Sequence, residues 1–241
     1  MQTIILSKTD RLADALAVPR GITSIVGGGG KTTLMLRLAR ELSASGARVI
    51  VTTSTHIFPP EGIVTLTGTN ENDLKDAISR ERLVCLGTPV EHGKLAAPQV
   101  AISILPDIAD YVLVEADGAK QLPVKAPAAH EPVIPEETKL VVAVAGLDAL
   151  GQTVGNAAFR PALFATLIGA DVAHTLTPGD LARVLTHENG QRKGVLAGMR
   201  YCVLLNKAED EAALRAALEI ALYLEKDHVE RVVIAALKHS I

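Results

Sequence analysis

An α/β fold, with a mostly parallel sheet and helices on both faces, is predicted by two observations. Short apolar runs of strand length alternate with amphipathic stretches of helical period along nearly the whole chain, the pattern of strands joined by crossover helices. Between one such strand and its helix stand four consecutive glycines, Gly27 to Gly30, followed by Lys31-Thr32-Thr33.

Ile22 to Val26 reads as a buried strand. Leu34, Met35, Leu38 and Leu42 recur at helical spacing, so a helix is expected over 31–45, with Gly46 ending it. A strand over 48–53, a helix over 71–80, a strand over 82–86, a helical stretch near 98–105 and a strand over 111–115 follow. Beyond them come a strand over 140–145, helices near 161–169 and 178–186, a strand over 201–205, a helix over 208–226 and a last strand over 229–235. The exception is 116–138, where Pro123, Pro127, Pro132 and Pro135 exclude a helix or a central strand. A loop of that length is functional or disordered, and this one is expected to be functional. With 241 residues, 48% of them hydrophobic, and no repeat or low-complexity linker, the chain is expected to form a single domain over 1–241.

A net charge of −3 with interspersed signs gives no footprint for nucleic acid or an acidic lipid surface. Met1 to Ile5 lack the features of a signal peptide, and no apolar run reaches membrane-spanning length, so a cytoplasmic location without a membrane partner is expected. Cys85 and Cys202 each lie in an apolar strand-like run, which points to buried reduced thiols.

The glycine run lets the backbone curl and turn its N–H groups inward, and the following helix adds the positive end of its dipole. Phosphate is the natural guest. Gly27, Gly28, Gly29, Gly30, Lys31, Thr32 and Thr33 are therefore expected to bind a nucleoside triphosphate. Lys31 would reach the β- and γ-phosphates, Thr32 would place its hydroxyl on Mg²⁺, and Thr33 would bond an α-phosphate oxygen. The usual phosphate loop starts with a glycine six positions before its lysine, where this chain has Ile25, so the loop is two residues short. That short form resembles the loop of the Mur-type ligases. The fold expected is thus P-loop NTPase-like.

Four further groups fall at the carboxyl ends of predicted strands or beside them, where open parallel sheets bind ligands. Strand 111–115 ends in Glu115 and Asp117, which alternation sends to one side. Glu115 is expected on the metal with Thr32, Asp117 on the attacking water or a second substrate, and Lys31, Glu115 and Asp117 form the expected catalytic set. The strand-Glu-x-x-Gly form resembles that of dethiobiotin synthetase and the nickel-insertion GTPases. Thr52 to His56 brings hydroxyls and an imidazole to the same rim, with His56 a candidate for the second substrate. In the proline-rich loop, Lys120 and Lys125 are candidate clamps for an anionic substrate or the phosphates, and His130 for a general acid, a general base or a metal ligand. Arg160 is a further candidate for the same anion. Asn206-Lys207-Ala208-Glu209 resembles the Asn-Lys-x-Asp element that reads guanine, with Glu209 in the fourth place, so Asn206 and Lys207 are expected near the base and the choice between ATP and GTP stays open.

Taken together, Gly27 to Thr33, Thr52 to Pro60, Val114 to Lys120, Lys125 to Pro135 and Ala145 to Gly151 resemble the YqeC family of selenium-dependent molybdenum hydroxylase accessory proteins. Glu115-Ala-Asp-Gly-Ala-Lys120 and His130-Glu-Pro-Val-Ile-Pro135 are the most specific segments. The resemblance implies a phosphate-loop nucleotide-binding protein that helps make or insert the selenium-containing cofactor of those hydroxylases. A hydroxylase or its cofactor then joins the nucleotide among the expected partners. Related nucleotide switches often dimerise across the phosphate site, and a homodimer is entertained on that ground alone. Three activities stay open: a Mg²⁺-dependent NTPase or nucleotide-dependent transferase, an ATP-dependent kinase or ligase acting on a small anionic acceptor, and a non-catalytic nucleotide-gated chaperone.

Overall fold

The computed structural model describes residues 1–227 and 229–239. Nine strands form one sheet: β1 (Gln2–Ile5), β2 (Gly21–Gly27), β3 (Val49–Thr53), β4 (Val64–Leu66), β5 (Leu83–Leu86), β6 (Tyr111–Glu115), β7 (Thr138–Gly146), β8 (Arg200–Asn206) and β9 (Arg231–Ala235). Their spatial order is β1-β9-β8-β7-β2-β6-β3-β5-β4, and every neighbouring pair is parallel. The expected mostly parallel sheet is parallel throughout.

The longer helices are α1 (Lys31–Ala44), α2 (Glu71–Glu81), α3 (Pro161–Ile168), α4 (Pro178–Thr186) and α5 (Glu211–Leu224). Both faces of the sheet are covered. On one, Leu34, Leu38 and Leu42 of α1, with Leu12 and Leu16 from a short helix, pack against Ile25, Val51, Leu113, Val142 and Leu204. On the other, α2 covers Ile50, Val84 and Val112, while α3, α4 and α5 cover Val141, Ala143, Val203, Leu205 and Val232.

The differences from the expected elements lie where little apolar surface is buried. Edge strands β1 and β4 are short and contain no fully buried residue, so neither carries an apolar run that marks it out. The stretch near 98–105 is only two single turns, Ile102–Ile104 and Leu105–Ile108, with Pro106 in the second. The helix expected from 208 starts at Glu211, because Asp210 caps it by accepting a hydrogen bond from the Ala213 N–H. Residues 116–137 contain no helix, and their ladder is Val124–Lys125 beside Ala158–Phe159 in a separate two-stranded piece; Thr138 already belongs to β7. A small antiparallel sheet of His56–Ile57, Leu95–Ala96 and Thr88–Pro89 completes the fold. Cys85 and Cys202 are free and buried, and burial pushes each thiol up to about 11. No helix among the described residues is long and apolar enough to cross a membrane.

Because all nine strands run the same way, Gly27, Thr53, Glu115, Gly146, Asn206 and Ala235 end on one edge. The candidate site lies along it.

Candidate functional site

A cavity of about 820 Å³ opens at this edge, lined in part by Gly29 to Thr33, Thr55 to Phe58, Gly118 to Leu122, Glu115 and Asn206. Gly27, Gly29 and Gly30 take the left-handed φ values 97°, 74° and 134°. A Cβ on Gly27 would stand 2.2 Å from the Val144 carbonyl oxygen, and one on Gly29 would stand 2.3 Å from the Gly146 nitrogen. Glycine is required here by conformation and by the closeness of β7.

The N–H groups of this loop do not all turn toward the cavity, which corrects the expected four-glycine cradle. Gly27 N donates to Asp117 Oδ2 at 3.1 Å, Gly28 N to Val144 O at 2.9 Å and Gly29 N to Leu122 O at 3.0 Å. Neighbouring segments take these donors because the loop is pressed against β7 and residues 122–123. What the loop offers an anion is the first turn of α1, whose N–H groups have no intrahelical acceptor, together with Gly30.

Lys31 is buried. Its Nζ donates to Gly27 O at 2.9 Å and lies 3.3 Å from Asp117 Oδ1 and 3.7 Å from Glu115 Oε1. Thr32 Oγ1 donates to Glu115 Oε2 at 2.8 Å, so the two groups expected on a metal are already adjacent. Burial raises the pKa of Glu115 and the Asp117 charge adds to this, while Lys31 and Thr32 offset only part of the shift. The fold thus disfavours the ionised form. Glu115→Gln is therefore expected to raise the melting temperature of the ligand-free protein near neutral pH by a few degrees, which differential scanning calorimetry would read.

Asp117 is wholly buried and does not line the cavity, a correction to its expected place on the attacking water. Its Oδ2 accepts from Gly27 N and lies 3.0 Å from Lys125 Nζ, so it ties the glycine loop to the proline-rich segment. Lys125 is also corrected. Its side chain is fully buried, and its three donors meet Gly118 O at 2.7 Å, Glu131 Oε2 at 2.6 Å and Asp117. No donor is left for an anion.

Arg160 Nη1 joins the same Glu131 oxygen at 2.6 Å. Burial alone would raise the Glu131 pKa, but hydrogen bonds and charge from Arg160 and Lys125 outweigh it and hold the group at about 2. A depressed carboxylate contributes stability above its unfolded value of roughly 4.5 and loses it as pH falls toward the folded one. Urea titrations should accordingly show wild type more stable than Glu131→Gln at pH 6, with the gap closing between pH 4.5 and about 2.

Asn206 lines the cavity, and its amide is engaged. Its Nδ2 donates to Gly29 O at 2.7 Å and its Oδ1 accepts from Leu237 N at 3.1 Å, both buried. The amide expected near a base pins the glycine loop to the chain after β9. Asn206→Ala should cost about 1–3 kcal/mol in chemical denaturation, by leaving those two backbone groups without partners, and should not alter any preference between ATP and GTP. Lys207 does line the cavity, while its Nζ meets Asp148 Oδ2 at 2.5 Å.

Of the remaining candidates, His56, Lys120 and Arg160 line the cavity, and His130 is exposed outside it. Several lining residues were not expected: Ile57, Phe58, Lys94, Gln121 and Phe159. The chain has only 3 phenylalanines, and two of them, Phe58 and Phe159, are here, so the scarcity of aromatic residues was a usable signal. Lys120, Gln121, Arg160 and Lys207 all have left-handed φ and all line this cavity. Such strain in non-glycine residues gathers at ligand sites.

The family model described as YqeC protein matches residues 23–162, which contain the glycine loop, β6 and the whole proline-rich segment. An uncharacterized protein YqeC of Escherichia coli (strain K12) is 32% identical over 219 residues, covering 88% of this chain and 85% of that protein. With the family model and this relative agreeing over most of the fold, the chain belongs to the YqeC family.

Proposed function

We propose that this protein binds a nucleoside triphosphate with Mg²⁺ and acts as an NTPase or nucleotide-dependent transferase in maturing the cofactor of selenium-dependent molybdenum hydroxylases. The observation that carries the nucleotide half is the contact of Thr32 with Glu115 beside Lys31, at the start of α1 and on a cavity at the carboxyl edge of a parallel sheet.

The residues present fit Mg²⁺. Thr32 and Glu115 offer two hard oxygens side by side, the sparse protein set that a phosphate-bound Mg²⁺ takes. The metal supplies neutralisation of phosphate charge when bound. Lys31 contributes a fixed positive charge, Gly30 and the first turn of α1 contribute N–H donors, and Lys207 contributes an apolar stem at the rim. Burial of Glu115 favours a cation beside it, since that relieves the cost of its charge. Asp117 holds the loop from behind.

The hydroxylase half rests on the family resemblance, and a cytoplasmic location and a hydroxylase partner go with it. A kinase or ligase acting on an anionic acceptor is favoured over simple hydrolysis by the additional cations of the cavity, Lys94, Lys120 and Arg160. Calorimetric titration with ATP and with GTP, each with Mg²⁺ and with phosphate release followed in the same samples, tests the nucleotide reading. Binding that disappears with chelator is the expected result, and no heat from either nucleotide would overturn it. Turnover separates an enzyme from a nucleotide-gated chaperone.

A further inference from the structure

We propose that the cavity holds a second ligand beside the triphosphate, a small molecule carrying a phosphate group, and that Lys94, Lys120 and Arg160 bind that group. The assignment of Lys31 and Thr32 to a different ligand rests on the nucleotide reading; the charge argument does not.

Three separate chain segments bring these cations to one cavity: the small antiparallel sheet, the proline-rich segment and the start of α3. Of the carboxylates that line the cavity, Glu115 and Glu131 are already committed. Lys31, Lys125 and Arg160 are matched by Glu115, Asp117 and Glu131, and Lys207 by Asp148. Among the described residues, neither Lys94 nor Lys120 has a carboxylate within ion-pair distance. Both instead lie over aromatic rings, Lys94 at 5.1 Å from the centre of Phe58 and Lys120 at 5.4 Å from that of Phe159. Arg160 covers the Phe159 ring as well, at 4.4 Å. An aromatic face holds a cation in position without neutralising it, so the positive charge stays available to a ligand.

The backbone points the same way. Lys120, Gln121 and Arg160 have φ of 47°, 64° and 64°, conformations that are costly for these residues and typical of ligand clamps. Two ammonium groups without a carboxylate partner, with the Arg160 N–H donors that Glu131 leaves unused, suit a tetrahedral dianion with three oxygens better than a single carboxylate. Phe58 and Phe159 supply apolar surface that an organic ester could use and free phosphate could not. The shared chemistry is the phosphate group.

The test uses the whole protein saturated with Mg²⁺ and the β,γ-imido analogue of ATP, whose binding is measured on the same sample. Pyridoxal 5′-phosphate is then added. Its aldehyde condenses with a lysine amine to form a C=N bond and release water; borohydride gives hydride to the carbon and solvent gives a proton to the nitrogen, leaving a secondary amine for peptide mass mapping. We expect Lys94 or Lys120 to be labelled at least tenfold faster than the exposed Lys8 and Lys226, with no such preference for pyridoxal lacking the phosphate. Protection by phenyl phosphate at lower concentration than inorganic phosphate would assign an ester, and the reverse order would assign the free anion. Uniform labelling, equal labelling by pyridoxal, or loss of selectivity once the imido analogue is bound would overturn the second site. Failure of the analogue to bind would sink the nucleotide reading instead, while selective, phosphate-protected labelling would still uphold this site.

Discussion

Replacing Lys125 by methionine is expected to destabilise the protein by about 3–5 kcal/mol, the cost of stranding buried charge by removing one partner. The lysine joins Asp117 and Glu131, at 3.0 and 2.6 Å; Lys31 and Arg160 flank the same carboxylates at 3.3 and 2.6 Å, but neither bridges the two. Asp117 is worse placed, since it is fully buried and its Oδ1 has no hydrogen bond. Urea denaturation would read the loss as a lower midpoint at unchanged slope. If the charge pairing is the cause, adding Asp117→Asn and Glu131→Gln to the methionine variant should recover much of it, because an uncharged set needs no lysine. A lysine that served only to clamp an external anion would behave otherwise: the single variant would keep its stability and lose ligand affinity. That pattern would refute the arrangement described for Lys125.

Lys31→Ala should weaken Mg-nucleotide binding at least a hundredfold, about 3 kcal/mol, and abolish any turnover. This lysine is the cation at the phosphate loop, and α1 begins with it, so its charge and the helix dipole act at one place. The substitution also leaves Glu115 and Asp117 with less compensation, so a thermal melt must accompany each titration. Lys31→Arg provides the control, since it keeps the charge but not the fit. A Lys31→Ala protein that melts cooperatively and still hydrolyses nucleotide at the wild-type rate would remove the phosphate loop from the mechanism.

Much of this fold is legible from the sequence because a parallel sheet buried on both faces needs apolar strands, and β2, β6, β7, β8 and β9 are nearly continuous ones. The site is legible where its parts are contiguous. Gly27 to Thr33 and Glu115 belong to segments whose local pattern carries their meaning. Residues whose role depends on what arrives from elsewhere were misread. Lys125 looked like a surface clamp because nothing local shows that the chain returns Glu131 to it. Asn206 looked like a base reader because its partners, Gly29 and Leu237, come from two other strand ends. Lys94 left no local pattern, since the strand beside it, Leu95–Ala96, is only two residues long and too short for periodicity.

The interleaved strand order also decides how this chain could be divided. The family model stops at residue 162, which suggests a place to cut, yet β1 lies beside β9 and the phosphate loop is pinned by residues 206 and 237. A fragment ending near 162 would lose β8 and β9, leave β1 without a neighbour and open the backbone N–H and C=O groups along the edge of β7 to solvent. Matched length is therefore no guide to an expressible unit. The first and last strands act as one clasp, and a shortened version for expression or grafting would have to keep both.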